Sequence, residues 1–375
     1  MKFSYTHHMP YTFIDDPDQD WPVANKQFDP QKGVALYREY IDNKVFAEEV
    51  GFDWIGCNEH HMSPYGLMPN PNLIAAAVIE RTKTAGILQS GNIVPLTNPI
   101  RIAEEYAMLD VQSGGRLIAG LMRGIPHEYV AYNIPPDDSF SRMREACELI
   151  VKCWTEPEPF GWEGEHYRFR AVSIWPRPVQ QPHPRLLMSA SSVESAKLAA
   201  EFKAIAGFLR LISMEETRKS IDAYRDAARG FGWEPVDDDI IIGMNCCIDD
   251  NMDAAIDTLS DSQAFFFDVL GGGIRTAQRL VLQKTRYYQE EVDPTSRLVG
   301  TAKALRRVSI EERIDEGLVL CGTPDVVIDQ IKNLKKHLGH GRMNMTIKIG
   351  NTPQEKVLKT MHYLRDVVFP AVRDV

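Results

Sequence analysis

Short β-like runs that alternate with longer segments of helical period predict an α/β protein, a (β/α)8 TIM barrel with inserted segments. The count of eight such runs suits a closed barrel, and no early run is followed by the Gly-rich GxGxxG turn of an open dinucleotide-binding sheet. A length of 375 residues suggests two or three domains on its own, but an enlarged barrel absorbs it as one, so residues 1–375 are expected to form a single domain.

Strands are expected at 3–6, 54–57, 87–94, 117–122, 186–190, 204–209, 240–247 and 343–349. Helices are expected at 34–50, 73–82, 100–112, 141–154, 193–202, 214–231, 325–338 and 353–368, with Thr323-Pro324 opening one and Gly232 following another. Two stretches exceed a simple βα repeat. They are 157–184, rich in Pro and Trp, and 260–313, which contains Gly271-Gly272-Gly273. Insertions of that size in a barrel serve as lids or interface elements.

With 44% hydrophobic and 25% charged residues, the chain has the apolar content for a large core and is not dominated by disorder. A formal net charge of −10 argues against a surface that gathers nucleic acid or docks on anionic lipid, which leaves small molecules and proteins as partners. The six cysteines form no CxxC pair and no disulfide framework, so reduced thiols are expected. No signal sequence or membrane-spanning run stands out, and a cytoplasmic location is the expectation.

The chemistry-bearing residues stand at the ends of the expected strands, where barrel active sites form. The second strand runs into Asn58-Glu59-His60-His61, and either imidazole could exchange a proton near neutral pH or simply belong to a surface loop. His7-His8 ends the first strand. Adjacent strand residues face opposite ways, however, so at most one of each histidine pair looks inward, and without HxH or HExxH spacing no catalytic metal is expected. The third strand ends in Gly91-Asn92, a small residue and an amide where backbone and ligand could approach closely. Arg123 follows the fourth strand and could clamp an anion or lie in solvent. The fifth leads through Ser191-Ser192 into a helix with Ser195 on its first turn, either a phosphate site or an ordinary serine cap. Arg123 and Ser191-Ser192 lie on consecutive βα units, and together they favour a phosphate-bearing cofactor.

An ordered chain of small motifs connects these positions: Gly51-Phe52-Asp53-Trp54 through Glu59-His60-His61, then Asn70-Pro71, Val94-Pro95-Leu96-Thr97-Asn98-Pro99-Ile100-Arg101, Leu109-Asp110, Gly115-Arg116 and Arg123-Gly124. Ala190-Ser191-Ser192 and Gly322-Thr323-Pro324 extend it downstream. In this order and spacing the chain resembles the bacterial luciferase-like flavin-dependent monooxygenases from its first strand to its final helix.

That resemblance implies a barrel enzyme that uses reduced FMN as co-substrate with O2, forms a flavin C4a-hydroperoxide or its anion, and oxygenates a small organic substrate by hydroxylation or Baeyer–Villiger insertion. A separate flavin reductase would supply the reduced flavin, and a homodimer is expected. By the same resemblance His60 matches the catalytic histidine and His61 follows it, with Glu59 beside them at the cofactor. Gly91-Asn92 falls where the family often has a non-proline cis peptide beneath the flavin. Arg123, Ser191, Ser192 and Ser195 match the region that holds the flavin phosphate. Met122 stands where luciferase has a cysteine near the flavin, so light emission is not implied. His127 and Glu128 are substrate-pocket residues on one reading and part of a surface loop on another. Three alternatives stay open: a deazaflavin (F420)-dependent oxidoreductase of the same superfamily, a metal-dependent TIM-barrel hydrolase using the histidine pairs, and a non-catalytic flavin-binding partner. Aromatics at Trp162, Tyr167, Trp175 and Phe265-Phe266-Phe267 suggest an apolar pocket or a dimer interface.

Overall fold

Period-two alternation along the strands sends every second side chain toward the barrel axis and the others toward the helices, so each barrel strand is buried on both faces. The structure, a computed structural model, describes residues 1–209, 211, 213–280 and 308–375. Its strands are β1 (Lys2–His7), β2 (Trp54–Cys57), β3 (Gly86–Gln89), β4 (Asn92–Ile93), β5 (Leu117–Met122) and β6 (Phe160–Glu163). They continue with β7 (Arg168–Val172), β8 (Arg185–Ser189), β9 (Ile205–Phe208), β10 (Ile240–Ile248), β11 (Leu320–Gly322) and β12 (Arg342–Lys348). Parallel pairing runs from β1 through β2, β3, β5, β8, β9, β10 and β12 and returns to β1, which closes an eight-membered ring.

The helices begin where side-chain oxygens cap free N–H groups and proline fits the first turn. Asp29, Asn70 and Asn98 cap α1 (Pro30–Val50), α2 (Pro71–Ile79) and α3 (Pro99–Ser113). These caps start the helices one to four residues earlier than the hydrophobic period alone suggests. Then come α4 (Pro126–Tyr132), α5 (Ser139–Thr155), α6 (Val193–Glu201), α7 (Met214–Gly230) and α8 (Met252–Leu280). The remaining helices include Ile310–Asp315, Pro324–Leu338 and Gln354–Tyr363. No helix among the described residues is long and apolar enough to cross a membrane.

Inside the ring, Leu88, Ile118, Leu187, Ile205 and Ile241 pack together with Met122, and Trp54 leans on them. Ser4 donates to Asn344 at 2.8 Å across β1 and β12. Below, the Arg342 guanidinium lies 4.2 Å from the Trp54 ring centre and lines a cleft of about 580 Å³ with Arg116 and Arg185 at the N-terminal mouth. That end is held by structural bonds. Arg116 donates to the carbonyls of Ile79, Thr82, Ala85 and Ser113, which knits the starts of β3 and β5. The chemistry-bearing strand ends lie at the other, C-terminal mouth.

The structure differs from the expected elements at several places. The run expected at 87–94 is two strands, β3 and β4, with a cis Ser90–Gly91 peptide between them, and only β5 pairs with β4. The stretch 126–132, outside the expected helices, is the helix α4. Helix α8 runs unbroken from Met252 to Leu280, across the expected start of the second insertion, and residues 281–307 of that expected lid or interface element lie outside the described residues. β11, outside the expected strands, pairs with β10 outside the ring.

The first insertion, 157–184, carries the antiparallel hairpin β6–β7, and one carboxylate ties it to the barrel layer. Glu145 on α5 accepts from Trp162 Nε1 at 3.0 Å, His166 N at 2.8 Å and Tyr167 N at 3.0 Å. Replacing Glu145 with Ala leaves three donors without this acceptor. Limited proteolysis of Glu145→Ala should therefore cut within 157–184 faster than in the parent while the barrel survives; equal cutting rates would contradict this anchoring role.

Candidate active site

A buried carboxylate needs several donors, and Glu59, 6% exposed just beyond β2, has three. Its Oε2 accepts from Asn92 Nδ2 and from Ile93 N, both at 3.0 Å, and its Oε1 accepts from His61 Nε2 at 2.6 Å. The clamp joins the exit of β2 to β4. On the far side of β4, Asn92 N donates to the Tyr106 hydroxyl at 2.9 Å, and that hydroxyl donates to Gly120 O. The backbone here is too close for side chains: a Cβ on Gly91 would sit 2.3 Å from Gly120 O, and one on Gly120 would sit 1.8 Å from Gln89 O. Glycine at 91 is thus required by protein packing, whatever binds beside it.

The two histidines of the motif diverge as strand-end neighbours do. With the ring proton on Nε2 toward Glu59, His61 Nδ1 accepts from the Tyr132 hydroxyl at 3.0 Å, so both ring nitrogens are engaged. His60 turns the other way. Its Nδ1 lies 3.0 Å from Glu128 Oε1, and Nε2 engages no group among the described residues. Glu128 is buried on α4, with its Oε2 accepting from Ile125 N at 2.8 Å. The reading of 127–129 as a surface loop is therefore replaced by a buried helical turn. Of the histidines on β1, His7 lies buried beneath α1, its Nδ1 accepting from Met9 N at 3.2 Å and its Nε2 3.3 Å from Tyr40 O. His8 reaches the mouth, its ring 5.4 Å from that of His60. Among the described residues no three His, Cys, Asp or Glu side chains converge as a metal-binding group.

Helix α8 covers this mouth. Phe265, Val269, Leu270 and Ile274 pack with Tyr65, and Phe266 meets both His8 and Tyr65. Its glycines admit close neighbours, since a Cβ on Gly273 would lie 3.0 Å from His127 Nδ1 and one on Gly272 would lie 2.3 Å from Gln19 O. Arg275 pairs with Asp18 at 2.7 Å, and Thr276 donates to Trp21 O at 3.0 Å, so the N-terminal loop holds the helix down. His127, 1% exposed between Trp21 and Tyr65, has no hydrogen-bond partner for either ring nitrogen among the described residues.

A planar ligand with an anionic tail has matching groups at this mouth. Gly56, Gly120, Gly207 and Gly243 each follow an inward apolar residue by two positions on their strands, so each of these four strands has no side chain at its next inward position. Asn58, two residues beyond Gly56, is buried with both amide atoms unpartnered, and the Asn92 Oδ1 is unpartnered as well. Met122 tops the inward layer, and the β5–β8 register, with Leu121 opposite Met188, sets the following Arg123 beside the turn at Ser191. Ser192 Oγ caps α6 by accepting from Ser195 N at 3.3 Å, and Ser192 N donates to Ser195 Oγ at 3.0 Å in return, while Ser191 and Ser192 remain exposed. Such a helix start favours anions through its free N–H groups.

Sequence reasoning missed Asn58, Tyr65, Tyr106 and Tyr132 as members of this site. A signal existed for Tyr132: Pro126 at a helix start and Asn133 in the left-handed conformation after it bracket α4. Asn58 stands within the Asn58-Glu59-His60-His61 step itself, whereas Tyr65 and Tyr106 carry no local signature.

Burial shapes the electrostatics. Desolvation holds the His60 and His127 imidazoles down at about 4 and lifts the Glu128 carboxyl to about 7, with the adjacent His127 pulling the other way. All three groups therefore favour their uncharged forms.

A family described as luciferase-like monooxygenase matches residues 23–341. The oxygenase component of a flavin-dependent trigonelline monooxygenase from Acinetobacter baylyi is 31% identical over 176 residues, 46% of this chain and 48% of that protein. The chain spans about half the length of the first curated relatives it matches. The crystal structure of monooxygenase RslO1 from Streptomyces bottropensis superposes with a TM-score of 0.76 at 26% identity over 99% of both chains. An F420-dependent secondary alcohol dehydrogenase, at 16% identity and a TM-score of 0.71 over the full length of both chains, shares the fold alone.

The buried neutral histidines make stability depend on pH in a stated direction. An unfolded chain protonates His127 below its ordinary value of 6.5 whereas the folded one resists until about 4, so stability present above pH 6.5 is lost as the pH falls through this window. His127→Leu should thus show a smaller drop in thermal midpoint between about pH 6.5 and 4.5 than the parent. Parallel curves for the two proteins would contradict the buried, neutral state of this ring.

Proposed function

Since the chain belongs to the luciferase-like monooxygenase family, we propose that it is the oxygenase component of a two-component enzyme that takes reduced FMN and O2 and oxygenates a small organic substrate. The observation that carries this reading is the asymmetry of the histidine pair. His61 has both nitrogens engaged, whereas His60 is fixed through Nδ1 and leaves Nε2 uncommitted at the mouth.

The bound flavin would supply the oxygen chemistry, with one atom of O2 passing to substrate and the other to water. The protein would do the rest. Arg123, Ser191, Ser192 and Ser195 would hold the phosphate at the start of α6. Asn58 would offer its unpartnered amide donor and acceptor to a ring edge, while Gly91, Asn92 and Met122 would form the surface beneath it. Glu59 would act on the ligand through Asn92, whose side chain it holds. His60 would give or take the proton needed at the reacting oxygen. His127 and Glu128 belong to the substrate side, under α8, which would exclude water. A separate flavin reductase and a second copy of the chain are the proposed protein partners, and the relationship to an oxygenase component supports the first of these.

His60→Ala should bind FMN nearly as the parent does yet lose about 100-fold or more of coupled product formation, with hydrogen peroxide released in its place. Unchanged coupling between oxygen consumed and product formed would remove His60 from the chemistry. Turnover of reduced F420 under strict anaerobiosis, with no product from FMN and O2, would instead establish the deazaflavin alternative suggested by the shared fold.

Arg123→Ala should weaken FMN binding by roughly 1.5–3 kcal/mol, the scale of hydrogen bonds to a charged group, while leaving riboflavin binding nearly unchanged. Equal affinity of the parent for FMN and riboflavin would contradict the phosphate assignment.

A further inference from the structure

We infer that Glu128 is the positioning residue that decides which nitrogen of His60 carries the ring proton, so that a single titration of the pair switches His60 Nε2 between hydrogen-bond donor and acceptor. The inference rests on His60 being the acting residue proposed above, but its geometry stands by itself. Glu128 Oε1 lies 3.0 Å from His60 Nδ1, and the other oxygen is occupied by the Ile125 N–H at 2.8 Å. The carboxyl group therefore meets the imidazole through one fixed oxygen.

Two arrangements satisfy this contact. When Oε1 carries a proton it donates to the Nδ1 lone pair, and the one ring proton stands on Nε2, which then donates. When Nε2 gives up that proton, the proton on Oε1 passes to Nδ1, the carboxylate keeps the negative charge, and Nε2 presents a lone pair. One proton leaves at Nε2 and one moves inside the pair. The ring is neutral before and after, so the step needs no imidazolium.

Desolvation holds the half-buried His60 imidazole down at about 4, so it offers almost no imidazolium at neutral pH, while burial lifts the carboxyl beside it to about 7. The pair as a unit can thus gain and lose a proton near neutrality although the isolated ring cannot. The groups around it fit this account. His127 on α4 and His61 beyond β2 favour the anion, Glu59 opposes it, and the Ile125 N–H stabilises it. The rings of His8 and Tyr65 lie beside that of His60, at 5.4 and 4.8 Å between ring centres. Arg123 stands at the exit of β5, and α8 carries the charged Asp268 and Arg275, the latter paired with Asp18, and sets Gly273 against the adjacent His127.

The experiment is nitrogen NMR of the flavin-free protein with 15N-labelled histidine, using His60→Ala to assign the His60 signals. In the parent, Nε2 should pass from the protonated to the unprotonated ring-nitrogen type as the pH rises through about 7, while Nδ1 changes in the opposite sense. In Glu128→Gln, which keeps a hydrogen-bonding partner but cannot titrate, the His60 tautomer should be independent of pH. The activity of Glu128→Gln should likewise lose the parent's inflection near neutrality with KM for flavin little changed. A parent tautomer that stays constant between about pH 5 and 8.5 overturns the inference without any need for the variant to fold. The same titration in Glu128→Gln as in the parent overturns it too. Because the spectra need no flavin, they test the pair separately from the proposed function, whose failure would show as unchanged coupling in His60→Ala.

Discussion

The arrangement at the barrel mouth depends on one buried carboxylate. Glu59 gathers His61, the side chain of Asn92 and the backbone of Ile93, and so fixes the end of β2 against β4. A charge in that position is tolerated only because its oxygens are met by donors. Once His61 is drawn to Glu59, the alternation of the chain turns His60 to the other side. Everything proposed for His60 follows from that turn. The same clamp holds Asn92 against Tyr106, whose hydroxyl reaches Gly120 on β5, so three neighbouring strand ends share one continuous network.

Around this network the barrel provides two environments at its two ends. The N-terminal mouth is knitted by Arg116 to backbone carbonyls and stacked through Arg342 on Trp54, a use of cations that binds strands together. Toward the C-terminal mouth four strands carry a glycine at their next inward position, and Asn58, Asn92 and His127 hold polar atoms without partners among the described residues. Unsatisfied buried polar atoms destabilise a fold by about 1–3 kcal/mol each, so their collection at Asn58, Asn92 and His127 marks a surface shaped for a ligand.

The cover over that mouth accounts for the electrostatics. Helix α8 brings Phe265, Val269, Leu270 and Ile274 over Tyr65, while Gly272 and Gly273 allow its backbone to approach Gln19 and His127. Removing water from these groups disfavours charge on the histidines and on Glu128 alike. Neighbours of opposite titration behaviour are thereby brought to a common preference for neutrality. A carboxyl and an imidazole in contact under such conditions exchange protons with less separation of charge than either would alone.

The sequence made legible the alternation of strand and helix, the eight barrel strands, the helix start at Thr323-Pro324, and the placing of Glu59-His60-His61 and Arg123 at strand ends. These are properties of local period and turn chemistry, which residues a few positions apart decide among themselves. It did not disclose α4, whose seven residues make only about two turns and are too few to show a helical period, or the full extent of α8, whose three glycines and three phenylalanines read as an inserted loop. The folded barrel sets which histidine is committed and which is available, because Glu128 meets His60 across 68 residues of chain and Tyr132 meets His61 across 71. It also decided their charge. A proton's cost on a side chain depends on how much water the surrounding elements exclude, and that is a property of the closed barrel and its covering helix.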